Sequence, residues 1–203
     1  MKKLGVAIAV ATSMVWAPAM AATFVFNVSL NGANEAPANA SPGHGVGVIT
    51  FDDGFHTMTV DVDFADLLGN VTAAHIHAPT AVAGTGTAGV ATQTPTFAGF
   101  PSGVRNGSYL QTFDMTLASS YRAAYLAGFG GSTGAAEAAL LTAAKGGQAY
   151  LNIHTSAFPG GEIRGFLTAA PAPELGTWGL MLTGFGAAGV MLRSRRRQVN
   201  RIG

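Results

Sequence analysis

The sequence predicts an all-β fold: an antiparallel Greek-key or immunoglobulin-like sandwich or barrel carrying one helical insertion. Three observations point there. Apolar and polar residues alternate with a period of two over several short segments, the signature of half-buried strands. Glycine-rich turns separate those segments. Only one stretch, Ser119 to Lys145, has the Ala and Leu content of a helix. Seven or so short strands with such turns suit a sandwich or barrel.

The elements follow in chain order. Residues 1–22 read as a signal peptide. Lys2 and Lys3 precede an apolar run from Leu4 to Trp16, too short to span a bilayer, and "APAMAA" supplies small residues for cleavage after Ala21 or Ala22. Residues 23–170 form one domain, long enough to bury a single core without staples. "TFVFNVSLNG" places Phe24, Phe26, Val28 and Leu30 on one side. "GVGVITFDDGFHTMTVDVDF" is a hairpin about Asp53-Gly54, whose second arm alternates Met58, Val60, Val62 and Phe64 with Thr57, Thr59, Asp61 and Asp63. "VTAAHIHA" is the next strand. Pro79 to Gly103 reads as a long surface loop with one short strand near Ala88 to Thr92. "SYLQTFDMTL" is a further strand. The helical stretch breaks at "GFGGSTG", with Thr133 as N-cap and Gly146 as C-cap of its second half. "QAYLNIHTS" and "GEIRGFLTA" flank "FPGG" as a closing hairpin. The predicted core is Phe24, Phe26, Val28, Met58, Val60, Val62, Leu151, Ile153, Ile163 and Leu167.

Leu175 to Leu192 carries no charge, and "RSRRRQVNR" follows at once. As a helix the segment would reach roughly 27 Å, close to the thickness of a hydrocarbon core. The basic cluster would stay on the cytoplasmic side. Residues 171–203 therefore read as a transmembrane segment with a basic tail. "PAPELGTWGLMLTGFGAAGVMLRSRRR" resembles the PEP-CTERM sorting signal of Gram-negative bacteria, although Leu175 stands where that signal has its second proline. The resemblance implies an exosortase as processing partner, acting near Pro173 and Glu174. It also implies a place in the periplasm, at the cell surface or in the extracellular matrix, with exopolysaccharide or other matrix components as neighbours.

Charge narrows the function classes. Residues 23–170 hold four cations, Arg105, Arg122, Lys145 and Arg164, against nine carboxylates, a net charge of −5. Nucleic acid is thereby excluded as a partner, because phosphate contacts need clustered Lys and Arg. The chain has no cysteine, so neither disulfides nor thiolate ligands enter. No triad spacing, phosphate loop or dinucleotide fingerprint occurs, and no catalytic residue is assigned.

The chemistry lies in "TAAHIHAP" and "YLNIHT". In a strand, His75 and His77 share one face and Ile76 takes the other. Tyr150, Asn152 and His154 likewise share a face, opposite Leu151 and Ile153. If the aliphatic residues point to the core, the three imidazoles point away from it and can converge on neighbouring strands. His75, His77 and His154 are then a candidate metal set for Cu or Zn. Glu35, Asn152, Thr155, Glu162 and Arg164 are a supporting polar network. A hydrogen-bonded cluster that only fixes strand register remains open.

Three ordered motifs resemble the CHRD domain. They are "LNGANEAP" (Leu30 to Pro37), the His-x-His strand, and "NIHT" with "GEIRG" at the end. This resemblance implies an immunoglobulin-like β-sandwich without established catalytic activity, in a secreted envelope or extracellular-matrix protein that acts as a binding or structural module. The order of "DLLGNVTAAHIH", His154 and Arg164 also resembles Cu/Zn superoxide dismutase. That second resemblance implies a metal-binding protein or metalloenzyme using His75, His77 and His154. The histidine-bearing zinc loop of that family is absent between His77 and Tyr109.

Overall fold

The period-two alternation of Thr23–Asn31 makes strand β1, which pairs antiparallel with β2 (His44–Asp52), Thr23 opposite Asp52 and Asn31 opposite His44. The hairpin turn Asp53–His56 returns the chain as β3 (Thr57–Ala65). Asp52 stabilises that turn by accepting from the amides of Gly54 and Phe55 at 3.0 and 2.9 Å. The computed structural model describes residues 22–171 and Phe185. The predicted span 175–192, the Pro173-Glu174 site and all of the signal peptide but Ala22 lie outside the described residues. Among the described residues no helix is long and apolar enough to cross a membrane. The fold below is that of the unit ending at Thr168.

Four more strands complete the main sheet: β4 (Val71–His77), β5 (Gly107–Asp114), β6 (Tyr150–Thr155) and β7 (Ile163–Phe166). Their order is β4-β6-β7-β1-β2-β3-β5, and each neighbouring pair is antiparallel. The sheet curls into a half-barrel around one core, so the all-β antiparallel class holds. Phe26, Phe51, Met58, Ile76, Leu151, Ile153 and Ile163 are at most 1% exposed. Burying each such side chain contributes about 1.5–3 kcal/mol. Phe24 departs from the expected core: it is half-buried, with the Lys145 ammonium 3.5 Å above its ring.

Two segments differ from the sequence reading. Residues 79–103 form the expected long loop, exposed from Ala81 to Thr87, but buried side chains anchor its second half. Ala91, Thr92 and Phe97 are fully buried and Phe100 is 6% exposed. The reason is the edge of β4, whose backbone groups need partners. Ala91 N donates to Ile76 O and Phe97 N to Ala74 O, while Gly103 N donates to Val71 O. The expected short strand is reduced to two isolated bridges, Val90 to His77 and Thr92 to Tyr121. The helical stretch gives α1 (Ala123–Ala127) and α2 (Thr133–Lys145). Ser132 rather than Thr133 caps α2, its hydroxyl accepting from Ala135 N at 3.2 Å. Gly146 ends the helix as expected.

The sheet face bearing the histidines is also dry. Tyr150 and Asn152 are as buried as Leu151 and Ile153 on the opposite face. Residues 79–103 cover this face at His75 and His77, and the segment after β1 covers it at Arg164.

Candidate metal centre

Strand register places the site. β4 meets β6 with His75 opposite Asn152, His77 opposite Tyr150 and Ala73 opposite His154. β6 meets β7 with Asn152 opposite Arg164 and Tyr150 opposite Phe166. One face of three adjacent strands therefore carries three imidazoles, an amide, a phenol and a guanidinium. The ring centroids of His75 lie 4.8 Å from those of His77 and 4.7 Å from those of His154. One nitrogen from each of the three rings falls within a 4.8 Å group.

Hydrogen bonds orient the rings. His75 Nδ1 faces the carbonyl of Pro95 at 3.3 Å, His77 Nδ1 that of Ala88 at 2.8 Å, and His154 Nδ1 that of Pro159 at 2.9 Å. A carbonyl only accepts, so the tautomer with the proton on Nδ1 satisfies each of these contacts and leaves Nε2 its lone pair. The Nε2 atoms of His75 and His154 then face each other at 3.0 Å. The Nε2 of His77 is buried without a partner. With all three protons on Nδ1, the Nε2 atoms are acceptors with no donor among them, an arrangement that a cation resolves. Backbone carbonyls behind ligand imidazoles are also the usual second shell of a metal site.

Electrostatics agree with neutral rings. Burial, then the His154 and His77 neighbours, lowers His75 to about 3. Burial likewise lowers His77 to about 4 against the opposing Ala88 carbonyl, and it lowers His154. Neutral imidazole is the form that coordinates. Tyr150 stacks on His77 at 4.7 Å and 5°, and the Arg164 guanidinium lies 4.7 Å from the Tyr150 ring.

The supporting residues divide into two groups. Arg164 stays with the imidazole face. Its Nε donates to Asn34 O and its Nη1 to Gly86 O at 3.0 Å, with Glu35 Oε2 3.8 Å away. Burial raises Glu35 to about 7 against the pull of Arg164. Asn152 is 3% exposed, and both its Oδ1 and Glu35 Oε1 lack partners. Glu162 and Thr155, expected in the same network, belong elsewhere. Thr155 has the parity of Leu151 and Ile153, so it points to the other face of β6. There Glu162 accepts from the Thr155 and Ser41 hydroxyls, both at 2.6 Å, and from the amides of Leu68 and Gly69. Burial raises its carboxyl, but these four donors outweigh that and hold it below the usual range. It ties the loop before β4 to the end of β6.

Sequence reasoning missed the carbonyls of Ala88, Pro95 and Pro159, because main-chain acceptors leave no residue signature. It placed Tyr150 on the correct face by parity but gave it no role. His56 bonds Glu137 of α2 at 2.9 Å and so ties the β2–β3 turn to the helical insertion.

A family model described as the CHRD domain matches residues 26–167. No curated protein matches the chain, and no solved structure does.

Proposed function

Because the chain belongs to the CHRD domain family, we propose that it is an exported, non-catalytic binding module of the bacterial envelope or extracellular matrix. Its site holds one transition-metal ion, copper or zinc. The observation that carries the metal reading is the donorless group of Nε2 atoms on His75, His77 and His154, each ring fixed by a carbonyl at Nδ1. Imidazole suits both metals, and copper binds a given nitrogen site more tightly than zinc. The family assignment supports a secreted extracellular binding role. The "PAPE"-helix-arginine order at the C-terminus supports sorting by an exosortase and retention near exopolysaccharide.

Titration of the purified full-length chain with zinc and with copper tests the metal reading, beside a His75→Ala, His77→Ala double variant. The reading predicts one ion per chain in the wild type and loss of at least 100-fold in affinity in the variant, the scale expected when ligands of a structural site are removed. Equal, weak binding by both proteins would leave the imidazoles as a register-fixing cluster.

A further inference from the structure

The three imidazoles account for only part of the unsatisfied polarity at this site. Four buried side-chain atoms among the described residues lack hydrogen-bond partners: His77 Nε2, Glu35 Oε1, Asn152 Oδ1 and Tyr125 Oη. The first three belong to the imidazole face or its border. A metal ion satisfies His77 Nε2. It does not satisfy the other two, which are acceptors in need of donors.

Asn152 stands opposite His75 and two residues from His154 on the same face. Directly paired strand residues are about 5 Å apart at Cβ, so its amide borders the imidazoles. Glu35 Oε1 meets it over Gly161. A Cβ built on Gly161 would lie 2.7 Å from Glu35 Oε1 and 2.6 and 2.7 Å from the two amide atoms of Asn152. Gly161 also has φ +131°, a conformation that other residues rarely adopt. Glycine there is what lets the carboxyl and the amide approach. Arg164 does not supply the missing donor. Its Nε and Nη1 are committed to Asn34 O and Gly86 O, and 3.8 Å to Glu35 Oε2 is too long for a hydrogen bond.

The metal side of the site lacks a ligand as well. Among the described residues no fourth His, Asp or Glu joins the group, and the chain has no cysteine. Three protein ligands leave a coordination position open. A metal-bound water there would bring two O–H donors, matching the two orphaned acceptors in number and kind.

We infer that the fourth ligand of the metal is a water molecule held by Asn152 Oδ1 and Glu35 Oε1. This inference rests on the three-imidazole metal site proposed above. A groove of about 330 Å³, lined by Glu35 to Asn39 and Ala157 to Gly161, opens to solvent beside the Glu35 carboxyl. Burial brings Glu35 to about 7. Its carboxylate would accept from such a water when ionised.

Cobalt and zinc loading of the full chain test the two claims separately. Cobalt(II) replaces zinc and shows visible d–d bands whose intensity reports coordination number. The inference predicts intense four-coordinate bands at one cobalt per chain. It also predicts, in a crystal structure of the zinc-loaded protein, a zinc-bound oxygen within 3.2 Å of both Asn152 Oδ1 and Glu35 Oε1, about the outer limit of a hydrogen bond. A protein side chain as fourth ligand, or a water bonded to neither residue, would overturn the inference and leave the metal site standing. Weak, higher-coordinate bands at one cobalt per chain would overturn the inference alone, and failure to bind cobalt or zinc at one ion per chain would overturn both.

Discussion

Glu35 shows how one residue's surroundings set its chemistry. It sits in "LNGANEAP" just after a 3₁₀ turn, buried at 9% exposure beside Arg164. Burial raises its carboxyl from 4.5 to about 7. A folded value above the unfolded one means that the folded state binds the extra proton. The stability this group contributes is therefore fully present below pH 4.5 and is lost as pH rises through about 7. A Glu35→Gln variant, which mimics the protonated acid, should lose less stability than the wild type between pH 5 and pH 8. Urea midpoints at the two pH values check this. The same difference between wild type and variant at both would show that Glu35 is ionised throughout. Gly161 gives a second test at this scale. Alanine there meets Asn152 and Glu35 and needs an unfavourable φ. It should cost about 1–3 kcal/mol, read as a lowered melting temperature.

At the scale of elements, the strands were legible and their surroundings were not. Parity alone placed Ile76, Leu151 and Ile153 in the core and set the three histidines on the opposite face, because successive side chains on a strand alternate between faces. Truncating Ile153 to Ala should cost about 2–5 kcal/mol. Residues 79–103 escaped that logic. Their Gly, Thr and Pro content has no period, and only the unpaired edge of β4 explains why Phe97 and Phe100 are buried. Phe97→Ala should accordingly cost about 3–5 kcal/mol, as for any core phenylalanine. A change within 0.5 kcal/mol, typical of surface positions, would show that Phe97 does not anchor the loop. The same loop supplies the Ala88 and Pro95 carbonyls behind His77 and His75. The candidate ligands could thus be named from the sequence, whereas what makes them three unprotonated nitrogens could not. Glu162 erred for a related reason. Adjacency in "GEIRG" put it beside Arg164, but Glu162 precedes β7, and the amides of Leu68 and Gly69 with the hydroxyls of Ser41 and Thr155 claim it.

For the whole molecule, an acidic domain is bracketed by two segments that read as addresses. The account expects removal of residues up to Ala21 or Ala22 and a second cut near Glu174. Intact mass of the surface or released protein measures both. A surface species that keeps Arg193 to Arg201 would make the C-terminal segment a permanent anchor. The domain's net charge of −5 draws cations toward it, and its lack of cysteine leaves imidazole as the only soft donor besides methionine. The central claim is that His75, His77 and His154 hold a metal together. X-ray absorption at the zinc edge of the zinc-loaded chain tests it most directly. The account predicts three imidazole nitrogens at about 2.0–2.1 Å with one oxygen. An oxygen-only shell, or fewer than two imidazoles per zinc, would contradict it.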